Sequence, residues 1–132
     1  MIAGIGHDLT DVDRISLMLE GRYGDRLMQR ILTEGERELA AAYQGARLQQ
    51  FVAGRFAAKE AVSKAFGCGI GRQLGFRDID IQRDKNGKPF VKLSEAAWSR
   101  LSLRETDMSV HLTITHERAL ASAFVVVERL NR

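Results

Sequence analysis

The chain has 132 residues, 45% of them hydrophobic and 28% charged, with a formal net charge of +3 and one cysteine. That length and balance predict one soluble domain over residues 1–132 with a core of its own, and a lone Cys68 excludes an internal disulfide and suits a reducing compartment. The longest apolar run, Ala119 to Val127, is too short to span a bilayer, and the first residues lack the basic and apolar regions of a secretory signal, so a cytoplasmic protein is expected.

Met1 to Leu9 reads as a buried strand ending at the acidic Asp8, with Gly4 and Gly6 marking close approach of another backbone or a ligand. A helix is expected from about Asp11, with Val12, Ile15 and Leu19 inward. Gly21 and Gly24 interrupt it, and a shorter helical piece covers Asp25 to Leu32. Thr33 and Glu36 have the spacing of a capping box and open a helix through Tyr43.

The most informative stretch is a long helix from about Ala46 to Phe66, stopped by Gly67 in a left-handed cap. Leu48, Phe51, Val52, Phe56, Val62 and Phe66 recur at roughly helical intervals, with alanines between them. Glu60 and Lys64 share one face, whereas Arg55 and Lys59 point away from it at about 100° per residue. Charge on two sides is not the pattern of a helix with one wet stripe.

After a glycine-rich loop, Phe76 to Arg83 alternates as a strand, and the turn Asn86-Gly87-Lys88-Pro89 returns the chain through Phe90 to Leu93. Ser94 is a natural N-cap for a helix carrying Ala97, Trp98 and Leu101. Met108 to Thr115 and Ala119 to Glu128 form two further strands. The order predicts an α+β fold, an antiparallel sheet packed with helices around one long central helix.

Three reactive groups fall at the ends of separate elements: Asp8, Glu60 and His116. Two converging carboxylates suit a hard divalent cation such as Mg²⁺, and a histidine beside them suits phosphate better than the metal. Taken singly, each has a plainer reading: Asp8 and His116 as turn residues, Glu60 and Lys64 as a solvated pair. Gly67 to Gly71 follows a helix C-terminus, where the dipole repels anions, so a phosphate nest there needs the countercharge of Lys64.

Arg14, Met18, Arg22, Arg26 and Arg30 step by four and present a ridge suited to an acidic protein partner, or a solvated face. The basic excess favours an anionic partner. Nucleic acid is the weaker choice, because the first lysine is Lys59 and the aromatics are mostly spaced as core. A binding module that holds a nucleotide or an acidic protein without turning it over is the competing class.

Together these stretches resemble the holo-[acyl-carrier-protein] synthases, the short branch of the 4′-phosphopantetheinyl transferase superfamily. Gly4 to Leu9 with Arg14, Arg55 to Ala61 with Lys64 to Gly67, and Thr113 to His116 with Ala121 and Ala123 carry the likeness in order. The resemblance implies the phosphopantetheinyl transferase fold and transfer of 4′-phosphopantetheine from coenzyme A to a serine of apo acyl carrier protein, releasing adenosine 3′,5′-bisphosphate, in support of fatty acid biosynthesis. It implies Mg²⁺ held by Asp8 and Glu60, with Lys64 neutralising phosphate and His116 at the nucleotide end. It also implies a coenzyme pocket lined by Arg55, Lys64, Gly67, Asn86, Gly87, Pro89 and His116, and a carrier surface of Arg14, Met18, Arg22 and Arg26. A homotrimer with sites at the subunit interfaces is implied as well. The general base stays open among Glu60, Asp8 and His116. His7, Thr113, Thr115 and Cys68 depart from the family's usual residues.

Overall fold

The computed structural model describes residues 1–130. In chain order the elements are β1 (Ile2–Asp11), α1 (Val12–Glu20), α2 (Gly24–Ile31), α3 (Glu34–Ala40), α4 (Gly45–Ala65), β2 (Ile79–Arg83), β3 (Pro89–Leu93), α5 (Glu95–Arg100), β4 (Met108–His116) and β5 (Leu120–Arg129). The fold is α+β. One antiparallel sheet runs β1-β5-β4, and β2 and β3 form a separate hairpin.

Helix α4 is the spine. Val52, Ala53, Ala57, Ala58, Ala61 and Val62 are fully buried, and so is Lys59, so the helix is enclosed on nearly every side. Its alanines allow the sheet to come close. Ala121, Ala123, Val125 and Val127 of β5 point inward, while Ile15, Ile31, Leu32, Ile79 and Ile81 complete the core. On β1 the approach is closer still: a Cβ at Gly4 or Gly6 would stand 1.8 Å from the carbonyl oxygen of Ala65 or Ala61. The neighbour expected from these glycines is the backbone of α4.

Local signals place most boundaries. Thr33 and Glu36 close the capping box, Ser94 Oγ accepts from Ala97 N at 3.1 Å, and Gly67 takes φ +77° at the end of α4. Four expectations need correction. Strand β1 continues to Asp11, so Asp8 lies within the strand. The strand is also not buried on both faces: Ile5 and Leu9 are 56% and 61% exposed, because α4 covers one face and no element among the described residues covers the other. Helix α3 stops at Ala40, where the amides of Ala42 and Tyr43 bond three residues back in tighter turns. Residues Phe76–Asp78 form a 3₁₀ turn ahead of β2, drawn in by Asp78, whose carboxylate accepts from Gly75 N, Ser94 Oγ and Arg100 Nη2.

Candidate active site

The close contact of β1 with α4 sets one chemical centre. Gly4, Gly6, Asp8 and Thr10 alternate onto the helix side of β1, which carries the Asp8 carboxylate to the last turns of α4. Asp8 Oδ1 accepts from Lys64 Nζ at 3.2 Å and Oδ2 from Thr10 Oγ1 at 2.8 Å. Lys64 Nζ also donates to the carbonyl of His7 at 3.2 Å. The hydrogen-bond partners of Lys64 are thus on β1, not on Glu60 four residues earlier.

Glu60 nevertheless belongs to this centre. Burial holds its carboxyl above the usual carboxylate range, the negative charge of Asp8 raises it further, and Lys64 and Arg14 oppose the shift. Two mutually repelling carboxylates with only oxygen donors fit a hard cation such as Mg²⁺, which takes one or two protein carboxylates and fills its remaining positions with water and phosphate. No group of three or more His, Cys, Asp or Glu side chains that could hold a metal ion occurs among the described residues.

A second centre lies on another face of α4. A cavity of about 270 Å³ is lined by Arg55, Gly87, Pro89 and His116, together with Tyr43, Arg47, Phe51 and Arg83. Arg55 is 4% exposed, yet its Nε and Nη2 have no hydrogen-bond partner among the described residues. Its guanidinium stacks over Phe51 at 4.4 Å from the ring centroid, and burial pushes its pKa down. A buried cation with unsatisfied donors in the wall of a cavity suits an anionic ligand. His116, the last residue of β4, stands exposed at the rim.

Arg47, Arg83 and Tyr43 were not singled out from sequence. Arg47 lies over Tyr43 at 5.1 Å, and Arg83 Nη1 donates to Tyr43 Oη at 3.4 Å. Arg47 precedes Arg55 by eight residues of one helix, a spacing that was available to find it. Arg83 reaches the cavity on the β2–β3 hairpin; the hairpin was legible in the sequence, but its placement beside α4 was not.

The structure therefore gathers Asp8, Glu60, Lys64 and Arg14 at one place, and Arg55, Gly87, Pro89 and His116 at another. Arg55 and Lys64 are nine residues apart. That separation is about 13 Å along the helix and half a turn around it. Asn86 sits in the turn beside the second centre, where its amide bonds Asp84 Oδ1 at 2.8 Å, but it is not on the cavity wall. The amides of Gly67, Cys68 and Gly69 are spent on the carbonyls of Lys64 and Ser63, so they close the helix rather than form an open nest. The arginine row is not one ridge: α1 ends at Glu20, and Arg22 and Arg26 follow the break at Gly21. Arg14, Met18, Arg22 and Arg26 are all exposed.

The match with known proteins spans the chain. A family model described as the 4′-phosphopantetheinyl transferase superfamily fits residues 4–122. The holo-[acyl-carrier-protein] synthase of Bacillus cereus is 46% identical over 132 residues, the full length of both chains. A holo-(acyl-carrier-protein) synthase from Bacillus anthracis, solved in complex with CoA (3′,5′-ADP), superposes with a TM-score of 0.83 at 46% identity, covering 98% of each chain. The Helicobacter pylori holo-[acyl-carrier-protein] synthase, solved with coenzyme A, gives a TM-score of 0.80 at 31% identity over 94% of this chain and 99% of the other. No helix among the described residues is long and apolar enough to cross a membrane.

Proposed function

The chain belongs to the 4′-phosphopantetheinyl transferase superfamily, among the enzymes that are holo-[acyl-carrier-protein] synthases, and on that premise we propose how its own residues carry out the transfer. Residues 1–132 act as one transferase domain. The substrates are coenzyme A and the serine hydroxyl of an apo acyl carrier protein. The serine oxygen forms a bond to the β-phosphorus of coenzyme A, the bond from that phosphorus to the bridging oxygen breaks, and adenosine 3′,5′-bisphosphate leaves. The serine proton passes to a carboxylate of the Asp8–Glu60 pair.

The observation that carries this reading is Arg55, a buried guanidinium with unpartnered donors, which lines one cavity with His116, Gly87 and Pro89. That end of the site takes the anionic nucleotide part of coenzyme A, with Arg47 and Arg83 adding charge and Asn86 beside it. At the other end Lys64, already held to Asp8, neutralises phosphate charge, next to Gly67. Asp8 and Glu60 would hold Mg²⁺. When bound, the metal disperses charge on the pyrophosphate and eases departure of the bisphosphate.

One chain offers these two ends on opposite faces of α4. A homotrimer in which a neighbouring subunit brings the nucleotide end to the carboxylate end joins them into one site. The open face of the sheet supports such an assembly: Ile5, Leu9, Leu120 and Phe124 are each more than 40% exposed on neighbouring strands. The carrier docks along Arg14, Met18, Arg22 and Arg26, a surface that begins beside Glu60 because Arg14 already acts on its carboxyl. The enzyme works in the cytoplasm, supplying holo carrier for fatty acid biosynthesis.

The test is incubation with coenzyme A, Mg²⁺ and apo carrier, read as a mass gain on the carrier serine. Asp8→Asn and Glu60→Gln are each expected to slow transfer by about 100-fold, ~2.7 kcal/mol in the barrier. Near-normal transfer by both variants at saturating Mg²⁺ removes the carboxylates from the mechanism.

A further inference from the structure

The corner between α1 and α2 is tightly built. Gly24 N donates to Gly21 O at 3.1 Å, Leu27 N donates to Tyr23 O at 2.9 Å, and a Cβ at Gly24 would stand 2.0 Å from the carbonyl oxygen of Leu19. The backbone of Tyr23 is fixed by these contacts, while its side chain stands in solvent at 58% exposure. Two guanidinium groups lie against its ring, Arg22 at 5.7 Å and Arg26 at 5.4 Å from the centroid.

Two like charges against one ring repel each other, and two long side chains on a bare corner sample many rotamers. An aromatic ring opposes both tendencies, because its negative faces attract cations and its two torsions leave it little freedom. Neither the Arg22 nor the Arg26 guanidinium has an ion pair or a hydrogen bond among the described residues, so their donors remain open. Leu17 and Met18 on the adjoining helix add exposed apolar surface, at 72% and 37%. Open guanidinium forks around a fixed ring, bordered by apolar side chains, match an acidic protein surface with a few apolar contacts.

We propose that Tyr23 is a positioning residue for the acidic carrier: it holds Arg22 and Arg26 at a set spacing, so that the carrier's carboxylates meet a preorganised pair. The inference rests on the reading that the carrier docks on this face. It assigns to the ring a role in carrier affinity and none in the chemistry. Preorganisation of this kind lowers the ordering cost of binding without adding a contact.

The experiment compares Tyr23→Phe, Tyr23→Leu and Tyr23→Ala by steady-state transfer, with carrier and coenzyme A varied separately. Phe keeps the ring and should keep the wild-type KM for the carrier. Leu keeps apolar bulk without the ring's charge distribution, and both Leu and Ala should raise that KM about three- to tenfold. Their kcat and KM for coenzyme A should match wild type. The carrier KM difference between wild type and Tyr23→Leu should shrink as salt rises. A wild-type carrier KM in Tyr23→Leu overturns the role of Tyr23, as does a loss in Tyr23→Phe equal to that in Leu, or an equal rise in the KM for coenzyme A. A wild-type protein that leaves the carrier unmodified overturns the docking reading itself and this inference with it.

Discussion

Arg55 and Lys59 are one turn apart on α4, both buried, and burial pushes the pKa of each downward. Their surroundings differ. Lys59 Nζ donates to Ile31 O at 2.6 Å, Glu36 Oε1 at 2.5 Å and Phe76 O at 3.0 Å, which uses all three of its protons. Glu36 is equally occupied: Oε1 also accepts from Thr33 N and Oε2 accepts from Ile81 N, each at 2.8 Å. The Arg55 guanidinium makes no hydrogen bond among the described residues, and its Nε and Nη2 are buried without partners in the wall of a cavity. Burial alone therefore does not tell what a charge is for. Satisfaction does: the Lys59–Glu36 pair ties α2, α3, α4 and the start of β2 together, and Arg55 keeps its donors for something else.

The largest effect should come from breaking the satisfied pair. Lys59→Met leaves Glu36 charged and buried, and Glu36→Leu does the same to Lys59. Each should cost about 3–5 kcal/mol in urea unfolding. The double variant should recover only part of that loss, because the backbone groups of Ile31, Phe76, Thr33 and Ile81 would all lose partners. Single variants within about 1 kcal/mol of wild type would make the pair ornamental and end the contrast with Arg55.

Arg55→Ala should behave the opposite way. Removing a desolvated cation with no hydrogen bonds to lose leaves stability within about 1 kcal/mol of wild type, the lost stacking on Phe51 offset by relief of desolvation. Affinity for coenzyme A should fall by at least about tenfold, since a hydrogen bond to a charged group is worth ~1.5–3 kcal/mol. Arg55→Lys keeps the charge but not the fork, and should recover only part of that affinity. Titration calorimetry with coenzyme A and a parallel urea curve separate the two quantities. An Arg55→Ala protein that binds coenzyme A normally but unfolds as readily as Lys59→Met would invert the assignment.

The same contrast explains what was legible in the sequence. The Thr33–Glu36 box, the Ser94 cap, the Gly67 stop and the return at Gly87 were readable because each is decided within a few residues. Gly4 and Gly6 announced a close approach, and the partner proved to be the α4 backbone. Charge on two sides of α4 was visible. Which charge is satisfied was not, because the partners of Lys59 lie 17 to 28 residues away on three other elements. The pairing of Lys64 with Asp8 crosses 56 residues, and a four-residue spacing pointed to Glu60 instead. Met1 to Leu9 read as a buried strand because its apolar residues alone cannot distinguish a face packed on a helix from one that no described element covers, the face of Ile5 and Leu9.

The smallest effect tests the carboxylate centre, which stands between the two extremes: Asp8 is partnered by Lys64 and Thr10, while Glu60 is pushed up by burial first and by Asp8 second. A carboxyl held higher in the folded state than in the unfolded one keeps its proton longer when folded. The folded protein is then relatively most stable below the unfolded carboxylate value, loses stability as pH rises through the window up to the folded value, and is level above it. Glu60→Gln removes that loss. At pH 7 the variant should melt about 1–2 °C above wild type, a small gain because solvent screens a partly exposed group, and the difference should close at acid pH. Mg²⁺ should raise the melting temperature of wild type and do much less for the variant, since a ligand stabilises only the state that binds it. An equal response to Mg²⁺ in both proteins would mean that Glu60 takes no part in holding the cation, and its raised pKa would then be only a cost of burial beside Asp8.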